Sequence, residues 1–171
     1  MNDYADMLKG LRAKFDSGRT RSLDWRTRQL QGLIRMYEEN AAALAKALHK
    51  DLRKPLTEAM GTEVDFLKND ALSCLRDLKE WTRARPARKS TVSLLDRLEV
   101  RPEPYGTVLI IGAWNYPLHL SLAPLSGALA AGNCAVVKPS EISPHTAKAM
   151  EELLPKYVDS DCIKVKKHFY F

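Results

Sequence analysis

No stretch of the 171-residue sequence approaches the ~20 consecutive apolar residues that a membrane-spanning helix needs, so no transmembrane segment is expected. The N-terminus, MNDYADMLKG, has no apolar signal-peptide core. Cysteine is scarce. Cys74, Cys134 and Cys162 are odd in number and show neither CxxC nor metal-ligand spacing, which argues against a disulfide framework and gives no metal site. Reduced thiols suit a cytoplasmic chain. His49, His119, His145 and His168 form no metal spacing either. Ser121, Ser126 and Ser140 lack a G-x-S-x-G context, so a serine hydrolase is unsupported. There is no internal repeat and no low-complexity segment. The net charge of +6 is spread over the chain, and aromatic residues do not interleave with the clustered Arg83, Arg85, Arg88 and Lys89, so that cluster reads as a solvated basic linker, with no nucleic-acid partner expected.

What is present is an ordinary globular balance, 45% hydrophobic and 28% charged, organised around Tyr105–Glu141. An apolar run (Val108, Leu109, Ile110, Ile111) ends at Gly112, and the turn Ala113-Trp114-Asn115-Tyr116-Pro117 follows. A small-residue helix from about Pro117 to Ala131 stops at Gly132-Asn133. A second apolar run (Ala135, Val136, Val137) ends at Lys138-Pro139-Ser140-Glu141. Strands joined through a helix are parallel, and parallel sheets are covered on both faces, which explains continuous rather than alternating apolar runs. Ligands in such sheets sit beyond the strands' carboxyl ends. Asn115 and Lys138–Glu141 are therefore expected to face one crevice.

The preceding hundred residues read as a helical cover. Tyr4, Met7, Leu8, Leu11 and Phe15 make one amphipathic stripe. Ser22 is an N-cap for a helix carrying Leu30, Leu33, Ile34 and Tyr37. Asn40 is expected to cap a short alanine-rich helix ending near Leu52, and Pro55 interrupts the pattern. A long helix from Thr57 carries Val64, Leu67, Ala71, Leu75, Leu78 and Trp81 as a core stripe. Residues 85–90 read as a linker and 91–101 as an irregular edge strand, because Pro102 and Pro104 remove ladder donors. Ser143-Pro144 starts another helix, which Pro155 should kink or end. Cys162–Val165 opens a third strand. The expected division is a helical region at 1–84, a linker and edge strand at 85–104, and an α/β unit at 105–171.

The residues that carry chemistry lie at the strand ends. Glu141, 29 residues after Gly112, stands where many dinucleotide folds place a ribose-binding acid, and Lys138 supplies donors beside it. The usual phosphate loop, G-x-G-x-x-G, is missing; Gly-Ala-Trp-Asn-Tyr-Pro takes its place. Asn115 either bonds its own turn or presents an amide to a carbonyl on which an oxyanion forms. Trp114 and Tyr116 either exclude water there or simply pack.

The run EPYGTVLIIGAWNYPLHLSLAPLSGALAAGNCAVVKPSE, with the W-N-Y-P turn and K-P-S-E corner in register, resembles the aldehyde dehydrogenase superfamily. The closer likeness is to its class 3, fatty and aromatic aldehyde branch, which GRTRSLDWRTRQLQGL and EENAAALAKALHKDLRKP also fit. It covers about residues 4–163. The resemblance implies an α/β fold in which a helical N-terminal segment precedes the first part of a Rossmann-like NAD(P)-binding parallel sheet. It implies oxidation of an aldehyde substrate to a carboxylic acid with NAD or NADP, in a family homodimer. By the same resemblance Asn115 stabilises the oxyanion, Lys138 and Glu141 hold the adenosine ribose, and Gly112, Ala113 and Trp114 line the cofactor. The family's nucleophilic cysteine and general-base glutamate match nothing here, so the sequence resembles an N-terminal portion, inactive alone. The alternative is a non-catalytic fragment that pairs with a full-length subunit or is degraded.

Overall fold

The structure, a computed structural model, describes residues 3–166. His168 and the aromatic run to Phe171 lie outside the described residues. Helix α1 is Asp3–Asp16. Helix α2 is Leu23–Leu52, and Ser22 caps it as expected: the Trp25 N–H donates to Ser22 Oγ at 3.1 Å. The separate helix expected after Asn40 is not formed. Instead α2 bends at Asn40 (φ −120°, ψ 16°) and continues. Asn40 Nδ2 donates back to the Met36 carbonyl (3.0 Å) and to Tyr157 Oη (2.9 Å), so its side chain serves the preceding turn rather than capping a new one.

Arg53 ends α2 in the left-handed region (φ 57°), its N–H donating to the His49 carbonyl at 2.9 Å. Pro55 stands in the cap position of the next helix, which begins at Leu56, one residue earlier than expected. This helix has three parts: α3 (Leu56–Ala59), a π turn (Met60–Val64) and α4 (Asp65–Trp81). The π turn has no counterpart in the sequence reading. Leu67, Ala71 and Leu78 of the expected stripe are buried, but Trp81 at its end is 46% exposed.

The strand expected over 91–101 shrinks to β2 (Glu99–Val100), paired antiparallel with β1 (Arg85–Pro86), which the sequence assigned to a linker. Between them Thr91–Ser93 forms a 3₁₀ turn closed by Ser90 and Ser93 side chains. The physical reason is the absence of anything to pack against. Val92, Leu94 and Leu95 are exposed, and Pro102 and Pro104 stop the ladder beyond Val100.

The α/β unit follows the expected order: β3 (Thr107–Ile111), α5 (His119–Ala131), β4 (Cys134–Lys138), α6 (Pro144–Tyr157) and β5 (Ile163–Val165). The strands lie side by side as β3-β4-β5, all parallel, with Thr107 opposite Cys134 and Ala135 opposite Ile163. Pro155 sits in the last turn of α6, which ends two residues later. Residues Cys134–Val137 of β4 are buried, as a central strand requires. Strand β3 departs from the expected double coverage. It lies at one end of the order β3-β4-β5, and Leu109 (54%) and Ile111 (69%) stand open to solvent.

One hydrophobic core joins the helical cover to the sheet. Leu33, Met36, Tyr37, Leu44 and Leu48 of α2 belong to the same buried cluster as Leu67 of α4, Leu122, Leu125 and Leu129 of α5, and Met150 and Leu154 of α6. Cys74, Cys134 and Cys162 are free and buried. Burial pushes the Cys74 thiol up to about 11, so it is inert at neutral pH. No helix among the described residues is long and apolar enough to cross a membrane.

Candidate active site at the strand ends

The register of the sheet sets the site. Ile111 and Lys138, the last residues of β3 and β4, are direct partners, and the Gly112 N–H donates to the Lys138 carbonyl at 2.9 Å. The two turns after these strands therefore leave the sheet side by side. Gly112 is buried, and a Cβ there would collide with Ser121 Oγ on α5. Only glycine lets the chain pass this close to the helix. Ser121 Oγ is itself buried without a partner among the described residues.

Beyond Gly112 the chain rises into solvent. Ala113, Trp114, Asn115 and Tyr116 are all exposed. Trp114 (51%) and Tyr116 (37%) flank Asn115 but do not close over it. Of the two sequence readings for Asn115, the self-bonded one is not realised. Among the described residues no hydrogen bond ties its side-chain amide.

On the adjacent turn Lys138 Nζ lies 2.5 Å from Glu141 Oε2, with side-chain exposures of 21% and 58%. The pair spans Pro139, and the Ile142 N–H donates to Ser140 Oγ at 3.3 Å to tighten the corner. Ser143 Oγ donates to the Trp114 carbonyl at 3.1 Å and ties the second turn to the first. Gly112, Ala113, Trp114, Asn115, Lys138 and Glu141 thus occupy one open shelf at the carboxyl edge of the sheet. It offers a backbone without a side chain at Gly112, a free amide, and an ammonium beside a carboxylate, which suits a ligand presenting a diol and a carbonyl. Among the described residues no group of three or more His, Cys, Asp or Glu side chains could hold a metal ion.

Sequence reasoning missed the residues behind the shelf. Lys54 (8% exposed) and Glu63 (0%) form a buried ion pair at 2.6 Å. Lys54 Nζ also donates to the Asn115 carbonyl (3.1 Å) and stands 3.8 Å above the Tyr116 ring centroid. The other oxygen of Glu63 accepts from the Leu118 and His119 N–H groups at 2.9 and 3.2 Å. Asp51 does the same work for α6, accepting from the backbone N–H groups of His145 (3.0 Å) and Thr146 (2.8 Å) and from His145 Nδ1 (2.7 Å). That leaves Ser143, in the cap position of α6, free to hold Trp114. Nothing local marks these residues, since each acts on a segment more than 50 positions away.

Residues 2–165 match the family model described as the aldehyde dehydrogenase family. The chain belongs to the aldehyde dehydrogenase family. Its family members are oxidoreductases. The chain is 47% identical over 165 residues to the bovine (Bos taurus) aldehyde dehydrogenase family 3 member B1, a match covering 96% of this chain and 35% of that protein. It superimposes on the Staphylococcus aureus AldH, solved in a substrate-bound state, with a TM-score of 0.95 and 32% identity, over 99% of this chain and 37% of that one. The glyceraldehyde-3-phosphate dehydrogenase of Methanocaldococcus jannaschii, solved with NADP, gives a TM-score of 0.75 at 25% identity, over 94% of this chain and 35% of that one. This aldehyde dehydrogenase chain spans about a third of the length of the curated relatives it matches. The likeness therefore extends over the helical cover, the parallel sheet and the shelf together.

Proposed function

We propose that this chain supplies the ribose-binding and oxyanion-binding part of an NAD- or NADP-dependent aldehyde dehydrogenase that oxidises aldehydes to carboxylic acids. The observation that carries the reading is the Lys138–Glu141 pair, exposed at the sheet's carboxyl edge beside a glycine that cannot bear a side chain. Lys138 donates to, and Glu141 accepts from, the hydroxyls of the cofactor's adenosine ribose. Gly112, Ala113 and Trp114 line the same ligand. The bound nicotinamide supplies the hydride acceptor. Asn115 presents its unbound amide N–H to the oxygen of a substrate carbonyl, where it favours the developing negative charge.

The three thiols of this chain are buried away from any substrate. Burial pushes Cys74 up, and the hydrogen bond between Cys134 and Cys162 pushes Cys162 up while lowering Cys134. We therefore assign the 171-residue chain ligand binding but no aldehyde turnover of its own. A cytoplasmic setting and a homodimer belong to the same proposal. Calorimetric titration with ADP-ribose tests it. Saturable binding, weakened at least ~10-fold by Glu141→Ala, is expected. An absence of heat with ADP-ribose, NAD and NADP alike sinks the reading.

A second reading is a non-catalytic fragment that pairs with a full-length subunit. The open Leu109–Ile111 face of β3 favours it. Co-purification with such a subunit at fixed stoichiometry supports this reading; insoluble or degraded chain alone counts against it.

A further inference from the structure

Four backbone groups of the Trp114–His119 turn are held by side chains from elsewhere in the fold. Ser143 takes the Trp114 carbonyl, Lys54 takes the Asn115 carbonyl, and Glu63 takes the Leu118 and His119 N–H groups. Lys54 also lies against the Tyr116 ring. The Asn115 side-chain amide is left over, pointing at no partner among the described residues. A pair as deeply buried as Lys54–Glu63 does not explain itself as a source of stability, because desolvation of two charges offsets most of their attraction. Its geometry is better matched to holding one conformation.

The surrounding backbone is shaped for that purpose. Arg53, in the left-handed region, turns the chain so that Lys54 points back beneath the shelf. The π turn Met60–Val64 adds a residue to its helix, and without that residue Glu63 would rotate about the axis by ~100°. Glu63 then meets Lys54 with one oxygen and the start of α5 with the other, where the free N–H groups of a helix favour an anion.

We propose that Lys54 and Glu63 are positioning residues for Asn115: together they clamp the turn from behind and aim its amide. The inference rests on the reading of Asn115 as the group that meets the carbonyl. Neither residue touches substrate. Their effect is to fix a donor whose misplacement by 1 Å would cost ~100-fold in rate.

The experiment uses the ¹⁵N-labelled 171-residue chain and needs no turnover. Glu63→Gln keeps a side chain of the same shape but only one carbonyl oxygen, which cannot serve both Lys54 and the two amides. Lys54→Met removes the clamp on the Asn115 carbonyl. In both variants the Asn115 side-chain NH₂ resonances are expected to shift as the amide loses its fixed orientation. In Glu63→Gln the Leu118 and His119 amides should exchange at least ~10-fold faster, while Ala135–Val137 in β4 keep their protection. Asn115 resonances that stay in place in Glu63→Gln overturn the proposal. So do changes at Asn115 that only track a loss of protection in β4, which is what a merely structural pair would give. If Lys54→Met does not fold, Glu63→Gln decides alone. ADP-ribose titration of the unaltered chain separates the two readings. Failure to bind there removes the proposed function, whereas the Asn115 resonances report on the clamp regardless.

Discussion

Two lysine–glutamate pairs flank the turn that carries Asn115, and they are built in opposite ways. Lys54–Glu63 lies beneath it, 8% and 0% exposed, with the carboxylate fully used by Lys54 and two backbone N–H groups. Lys138–Glu141 lies beside it at the end of β4, with Glu141 58% exposed. In water an ion pair is worth little, so the outer pair can exchange its partner for a ligand hydroxyl at small cost. Out of water a lone charge is very unfavourable, so the inner pair has no alternative partner and acts as a fixed strut. The same two residue types thus give a rigid support in one place and an adaptable contact in the other. Burial alone makes the difference.

The comparison breaks most sharply at the inner pair. Lys54→Met leaves the Glu63 carboxylate buried without its counter-ion, and a loss of about 3–5 kcal/mol is expected in urea unfolding. Adding Glu63→Gln to it should restore part of that loss, because no bare charge remains. A double variant no more stable than Lys54→Met would show that the charge is not the cause.

Next in size is the glycine between the two pairs. Gly112→Ala drives a methyl group into Ser121 Oγ and should cost about 1–3 kcal/mol. Combining it with Ser121→Ala removes the oxygen it meets, one that forms no hydrogen bond among the described residues, so recovery of at least half is expected in thermal melts. Strict additivity of the two substitutions would contradict the contact.

Asp70 offers a half-buried charge without a strut. Its Oδ2 is buried and unbonded among the described residues. Burial raises its carboxyl above the usual aspartate range, with Ser126 and His119 opposing. The folded chain then holds this proton more tightly than the unfolded chain. The stabilising contribution is complete below the ordinary aspartate value and is lost as pH rises through the folded one. With allowance for solvent screening, Asp70→Asn should raise stability at neutral pH by about 0.5 kcal/mol. The gain should vanish as the pH is lowered into the carboxylate range. A gain that persists in acid would rule out the proton as its origin.

The outer pair should respond least. Glu141→Ala is expected to change unfolding stability by no more than a few tenths of a kcal/mol while weakening ADP-ribose binding ~10-fold. A large loss of stability would mean that this pair, too, is structural.

Much of the α/β unit is legible from local pattern. The apolar runs at Val108–Ile111 and Ala135–Val137 become β3 and β4, and the helix starts at Ser22 and at Ser143-Pro144 stand where expected. The positions of Asn115, Lys138 and Glu141 follow as well, since a residue just past a parallel strand must emerge at the carboxyl edge. Where the reading failed, distant contacts had overridden local preference. Asn40 has the chemistry of a cap, yet Tyr157, 117 positions away, holds it inside a continuous helix. Residues 91–101 have apolar side chains suited to a strand, yet most of them find no surface to cover. Trp81 keeps the helical period but falls beyond the reach of the core.

By itself the sequence determined the order of strands and helices in the α/β unit, the parallel sheet, and which turns reach its carboxyl edge. Those properties follow from the spacing of apolar residues and from turn chemistry within a few positions. The tertiary structure alone decided that Lys54 and Glu63 are buried together beneath Asn115, because burial depends on what packs against a residue. Their partners stand 61 and 55 positions further along the chain.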